Sequence, residues 1–224
     1  MARVVKTEQQ KKKSKIKIVL IVLAVILAIV GGGFAVYKIV FDKEEKVKQE
    51  IKEIDNLKDY GYTLTDNDSK YFKSEFEELK KIINGKEVDE EAYVTQVAKM
   101  YAIDLYSLNT KVNKYDIGGL EYYHVNKKDM YELKVMDTLY SIVLDNTFGD
   151  RKQELPEVSG VEVVNTKEST YKHGDKKVDS YEVELTLTYV KDMGYDKNIT
   201  VTLVKENDSN RWSVVESIVT NNKK

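Results

Sequence analysis

Cysteine is absent from the 224 residues, and the chain holds only one proline, one tryptophan and two histidines. The lack of cysteine excludes disulfides, a thiol nucleophile and a lipid-modified cysteine. The spacing of His124 and His173 from each other, and from acids such as Asp116 and Asp175, does not match that of known metal-binding motifs, so no metal centre is expected. Neither GxSxG nor HExxH occurs. We therefore expect no catalytic residues of these classes and no cofactor.

One long apolar run dominates the amino-terminal part of the chain. The residues from Ile18 to Tyr37 carry no charge and lie between Lys17 and Lys38. At about 1.5 Å per residue, a helix of this length crosses the roughly 30 Å hydrocarbon core of a bilayer. A cleaved signal peptide is the alternative, but its apolar region typically has only about 7–15 residues. The sequence predicts a retained membrane span within 18–40.

Charge is distributed unequally about this span. Residues 1–41 hold 8 of the 36 basic residues and 1 of the 38 acidic residues, so the rest of the chain has a net charge of −9. Short segments rich in lysine and arginine stay on the cytoplasmic side of a membrane. This predicts a single-pass protein of the cell membrane with an extracellular carboxyl-terminal domain. Residues 1–17 are expected to form a basic cytoplasmic tail that contacts the lipid bilayer. The acidity of that domain disfavours nucleic-acid binding.

The segment after the span is strongly charged. Between Asp42 and Lys58, the apolar residues Val47, Ile51 and Ile54 recur at intervals of four and three, which is the period of a helix with a narrow apolar face. We expect a helical stalk and linker over 41–65. The apolar face is too short for a coiled coil, but the span and the stalk are the expected contacts of any homo-oligomer.

Residues 66–220 have the periodicities of an α+β domain, and 221–224 form a predicted disordered tail. Apolar stripes of helical period predict three helices, which begin after the candidate caps Asp66 and Asp68, at Asp89 and near Lys127. The third helix is expected to reach Asp145. The expected inward residues are Phe72, Phe76, Leu79 and Ile83; Val94, Val97, Ala98, Tyr101, Leu105 and Leu108; and Met130, Leu133, Met136, Tyr140 and Val143.

After Pro156 the pattern becomes alternating. Five apolar residues spaced by two, from Tyr181 to Tyr189, predict a strand with one buried face. Further strands are expected around Val161, Val201 and Val214, and short polar turns between them are typical of an antiparallel meander. The predicted domain has three helices packed on a curved, four-stranded antiparallel sheet.

This order of elements, with the closing strand Arg211-Trp212-Ser213-Val214-Val215-Glu216, resembles the cone-shaped nuclear transport factor 2-like fold. The segment from Tyr101 to Leu120 is similar to membrane proteins of Gram-positive bacteria. On an amino-terminal anchor, such a domain resembles the inner-membrane assembly factors of type IV secretion and conjugation systems. The resemblance implies a scaffold or interaction role, with protein partners at the cell envelope.

Tyrosine is unusually frequent, at sixteen residues against five phenylalanines. Tyrosine combines an apolar ring with a polar tip and is enriched at interfaces. Many of these tyrosines fall at inward positions, but several coincide with a glycine pair on one predicted loop. We call this set the tyrosine loop and expect its tyrosines to be exposed and to form a contact surface: Tyr115, Asp116, Gly118, Gly119, Tyr122 and Tyr123.

Three functions remain open from the sequence. The first is a membrane-anchored interaction or scaffold module without enzymatic activity. The second is a tethered domain that binds a small molecule or glycan or acts as an isomerase-like enzyme. Asp104 is the acid to compare in that case, although a structural role, either as a cap or in a pair with a nearby lysine, is favoured for it. The third is a regulatory protein that signals through its short tail.

Overall fold

The computed structural model describes residues 48–206 and 209–220. The predicted tail, the predicted span from Ile18 to Tyr37, the start of the predicted stalk and residues 221–224 lie outside the described residues. Within them, no helix combines the length and the apolar character that crossing a bilayer requires.

The predicted helical stalk is wrong where it can be examined. Residues 48–52 have no regular secondary structure, and β1 (Glu53–Leu57) pairs in antiparallel fashion with β2 (Tyr62–Thr65). Long-range contacts override the helical period. The N–H of Gln49 donates to the Thr147 carbonyl at 2.7 Å, and the N–H of Lys52 donates to Asp66 Oδ1 at 3.0 Å. These partners lie far along the chain, so a local pattern does not reveal them.

The first two helices occur where the apolar stripes predict them. Helix α1 (Lys70–Ile83) buries Phe72, Phe76 and Leu79, while α2 (Glu90–Tyr106) is buried on most of its surface. Asp89 caps α2 by accepting from the Ala92 N–H at 3.1 Å. The cap of α1 is Ser69, not Asp66 or Asp68.

The third helix is shorter than expected and turned relative to the predicted stripe. Helix α3 (Lys128–Asp137) buries Tyr131 and Val135, whereas Met130 and Leu133 are 77% and 58% exposed. The packing of Tyr131 decides this orientation, because its hydroxyl donates to the Gly118 carbonyl at 2.7 Å. The expected inward residues Tyr140 and Val143 are buried, but both lie beyond the end of the helix.

The predicted antiparallel meander is confirmed. Its strands follow one another in the order β3–β4–β5–β6, and β4 buries its five alternating residues from Tyr181 to Tyr189. Bulges interrupt the pairing of β3 with β4 and of β5 with β6, and they increase the local twist. The strands are β3 (Val158–His173), β4 (Lys176–Tyr189), β5 (Asn198–Lys205) and β6 (Trp212–Val219).

A single apolar core joins the helices to the meander. Tyrosines fill much of it, since five of them have less than 2% of their surface exposed. The described domain is therefore an α+β unit of three helices and a four-stranded antiparallel sheet, with the β1–β2 hairpin added. The five tyrosines are Tyr62, Tyr93, Tyr101, Tyr122 and Tyr140.

Candidate functional site

The tyrosine loop is divided between surface and core. Tyr115 is 65% exposed, as expected, but Tyr122 and Tyr123 are 0% and 9% exposed. The ring of Tyr122 stacks on Tyr62 with centroids 4.9 Å apart, and Tyr123 stacks on Tyr131 at 4.0 Å. The prediction that both tyrosines are exposed was wrong, because aromatic rings from β2 and α3 cover them.

The two glycines of the loop allow a close approach to the core. The N–H of Gly118 donates to the Tyr140 hydroxyl at 3.0 Å, and that hydroxyl donates to the Leu105 carbonyl at 2.9 Å. At Gly119, φ is +76°, and an added Cβ would lie 2.8 Å from the Tyr101 ring. Both glycines are buried and serve packing, so they do not form a surface hinge.

Asp104 pairs with a lysine, which was its favoured role. Lys111 Nζ donates to Asp104 Oδ1, and the Gly119 N–H donates to Asp104 Oδ2 at 2.6 Å. Both charged side chains are largely buried. Burial by itself lowers the pKa of Lys111, but the negative charges of Asp104 and Asp116 outweigh it, so the pKa is raised. This pair fixes the C-terminal end of α2 against the following loop.

A pocket of about 240 Å³ lies beside this ion pair. The β1–β2 hairpin, the start of α1 and the 104–121 segment form it, and no residue of the four-stranded sheet lines it. Its lining combines four carboxylates, one lysine, small polar side chains and apolar walls: Ile51, Thr63, Thr65, Asn67, Asp68, Phe72, Asp104, Thr110, Lys111, Asp116, Ile117, Leu120 and Glu121.

Backbone N–H groups hold the other three carboxylates in place. Asp68 Oδ2 accepts from the N–H and the hydroxyl of Thr65 at 2.7 and 2.9 Å. Asp116 Oδ2 accepts from the Val112 N–H at 2.8 Å, and Glu121 Oε2 accepts from the Thr63 N–H at 2.9 Å. These side chains are therefore positioned by the hairpin and loops and are not free to turn away into solvent.

The charges of the pocket are not balanced. Asp104 is neutralised by Lys111, but Asp68, Asp116 and Glu121 form no ion pair within residues 48–206 and 209–220. Burial raises the pKa of both Asp68 and Glu121, and the charge of Asp104 raises each further. The raised pKa values mark a pocket in which negative charge is crowded.

The carboxylates do not form a metal centre. No group of three or more histidine, cysteine, aspartate or glutamate side chains in the described part of the chain converges in a way that could hold a metal ion. His124 begins a short 3₁₀ turn, where its ring nitrogen accepts from the Asn126 N–H at 3.3 Å. The arrangement of the pocket carboxylates is chemically suited to a positively charged ligand that is larger than a single metal ion.

Sequence reasoning singled out Asp104 and Asp116 and gave no binding role to the other charged residues of the pocket. Asp68 had been interpreted as a helix cap, and Glu121 and Lys111 received no role. A weak signal was present, since Glu121 directly follows the Gly118-Gly119-Leu120 turn that also places Asp116. The meeting of Asp68 with Glu121 depends on the β1–β2 hairpin, which the sequence did not predict.

Comparison with protein-family models, with curated proteins and with solved structures finds no match to this chain. The resemblance to the nuclear transport factor 2-like fold and to secretion assembly factors consequently stays a prediction. The site must be interpreted from its own geometry.

Proposed function

We propose that this chain is a membrane-anchored, extracytoplasmic binding module that holds protein partners at the cell envelope, as a subunit of a larger assembly. The proposal joins two features. The uncharged run from Ile18 to Tyr37 supplies the anchor, and the acidic pocket, which is lined by Asp116, the chain neighbour of Tyr115, supplies the contact.

The observation that carries the proposal is the position of the pocket. An isomerase-like enzyme of the cone type would place its acid and its tyrosines in an open cavity between helices and sheet. Here tyrosine rings fill that region, and the pocket opens elsewhere, without any residue of the sheet. Asp104 and the Tyr140 hydroxyl, which such an enzyme would use, are engaged in internal hydrogen bonds.

Small-molecule binding is the second candidate, because the domain has a pocket that could hold a ligand. At about 240 Å³ the pocket is smaller than the roughly 300–1,000 Å³ typical of drug-sized ligands, so it suits a small group or the end of a side chain. A glycan would need a broader surface with exposed aromatic rings, whereas no aromatic ring other than Phe72, which is 4% exposed, lines the pocket.

Site-specific photo-crosslinking in intact cells tests the binding function. A photoreactive amino acid at Tyr115 in the full chain should yield one or a few discrete adducts with envelope proteins. The matched control carries the same group at Val164, which is 60% exposed on β3 of the sheet, away from the pocket. Absence of adducts from Tyr115, or identical adducts from both positions, would overturn the proposal.

A further inference from the structure

We propose that the acidic pocket binds a primary alkylammonium group, supplied by a lysine side chain of the partner protein. This inference rests on the proposed binding function and names the chemistry by which the partner is recognised. It assigns to the pocket a ligand with one positive charge on a short apolar stem.

The charge of the lining supports a cation. Asp68, Asp116 and Glu121 face the pocket, and the single lysine of the lining, Lys111, is already paired with Asp104. An ammonium group has three N–H donors that carboxylate oxygens can accept, and Asp68, Asp116 and Glu121 form no ion pair within the described residues. Burial is the main cause of the raised pKa values of Asp68 and Glu121 and the charge of Asp104 adds to it, and a cation that enters the pocket offsets both effects.

The walls of the pocket support a stem of carbon atoms. Phe72, Ile117, Leu120 and Ile51 line it together with the acids. A lysine side chain has four methylene groups behind its charge, and these gain free energy when apolar walls remove them from water. A hydrated metal ion gains nothing from such walls, and the carboxylates lack the convergence that metal ligation requires.

A buried hydroxyl supplies independent support. The Tyr122 Oη is fully buried and has no hydrogen-bond partner among the described residues. Burial raises its pKa well above the usual value, and the carboxylates that raise it further are Asp104, Glu121 and Asp68, all from the pocket lining. These carboxylates lie close enough to the hydroxyl to affect its pKa, although Tyr122 itself is not among the lining residues. Unsatisfied buried polar groups in folded proteins are rare and mark places where a partner is expected.

Binding should depend on pH in a defined direction. The charged groups that face Asp68 and Glu121 are Asp104, Lys111, Asp116, Lys128 and Arg211, whose guanidinium donates to the Glu121 carbonyl. Because Asp68 and Glu121 have raised pKa values, they take up protons earlier than ordinary acids as the pH falls. Ammonium binding should weaken as the pH falls from about 7 to about 4.

The direct test measures amine binding to the full chain in zwitterionic detergent micelles. Ligand-observed NMR should show that butylammonium binds, while its neutral analogue butanol and the compact cation potassium do not compete. The pH profile of the unaltered chain provides a second measurement that needs no variant. Equal binding of butanol, effective competition by potassium, or amine binding that does not weaken at low pH would each overturn the inference.

A double variant tests the assigned carboxylates. Asp68→Asn with Glu121→Gln removes two charges and keeps amide oxygens that can accept from Thr65 and Thr63, and we expect about tenfold weaker amine binding. The matched control is Glu132→Gln with Asp137→Asn, two exposed acids of α3, which should leave binding unchanged. Equal binding by both double variants would contradict the assignment.

Crosslinking of the same variants separates this inference from the proposed function. If a partner lysine enters the pocket, the Tyr115 adduct should disappear in the Asp68→Asn/Glu121→Gln chain and persist in the control. Amine binding together with an adduct that persists in both would overturn the lysine source. A Tyr115 adduct without any amine binding would overturn the inference and leave the binding function standing, whereas amine binding without any adduct would overturn the binding function.

Discussion

Lys111 and Asp104 show what a single buried pair contributes at the scale of the residue. The lysine is 7% exposed, so its charge is stable there only because a carboxylate faces it. The same carboxylate receives the Gly119 N–H, which ties the tyrosine loop to the end of α2. The pair therefore holds together the two segments that carry most of the acids of the pocket.

The substitution Lys111→Met should be strongly destabilising. It leaves the Asp104 carboxylate buried without its cation, and breaking one side of a buried pair typically costs about 3–5 kcal/mol. Urea unfolding of the full chain in detergent, followed by circular dichroism, measures the change. The control is Lys81→Met, which breaks the exposed pair with Glu78 and should leave the midpoint almost unchanged, because water and salt screen such pairs. Similar midpoints for the two variants would contradict the structural role given to Lys111.

At the scale of the element, the tyrosine loop is a packed connection whose glycines are required by space. An added Cβ at Gly118 would lie 2.1 Å from the Asp104 carbonyl oxygen, a backbone atom that cannot move without distorting α2. The loop therefore owes its position to contact with the helix, and Tyr115 and Asp116 remain as its outward part.

Overpacking a core typically costs about 1–3 kcal/mol of stability. The substitution Gly118→Ala should destabilise the domain by more than about 3 kcal/mol, because the added methyl group would collide with backbone that cannot move aside. Thermal unfolding by circular dichroism measures the loss. Gly174→Ala is the control, since Gly174 has φ +62° but nothing within 4 Å of an added Cβ, so only the left-handed backbone is strained, at about 1–2 kcal/mol. A smaller effect at Gly118 than at Gly174 would contradict the packing described for this loop.

At the scale of the whole molecule, charge and hydrophobicity divide the chain into two parts of different composition. The amino-terminal segment is basic and contains the uncharged run, while the remainder has a net charge of −9. The pocket lies within the acidic remainder, so its own carboxylates act in a field of the same sign, which attracts cationic partners.

Deletion of Ile18–Tyr37 should release the protein from the membrane fraction, because no other segment of the sequence has a comparable uncharged length. Alkaline extraction of membranes followed by immunoblotting measures this, and deletion of Ala2–Gln10 should leave the protein in the membrane pellet. Continued membrane association of the chain without 18–37 would contradict the anchor. A mature chain whose amino terminus lies within or after residues 18–37 would instead establish the cleaved signal peptide.

Local periodicity predicted the parts of the fold in which neighbouring residues share one environment. The alternation from Tyr181 to Tyr189 and the stripes of α1 and α2 are repeated several times within a short stretch, and repetition makes the buried face unambiguous. The three apolar residues of the predicted stalk are too few to define a buried face in the same way. Pairing of β1 with β2 and the contact of Gln49 with Thr147 determined that segment.

The sequence by itself determined the α+β class, the order of the helices and the meander, and the surplus of negative charge after residue 41. Only the tertiary structure decided that Tyr122 and Tyr123 are buried and that Asp68, Asp116 and Glu121 meet at one pocket. The physical reason is separation along the chain. A buried face follows from residues a few positions apart, whereas an acidic pocket requires side chains from a hairpin, a helix end and a loop to be held together by long-range contacts.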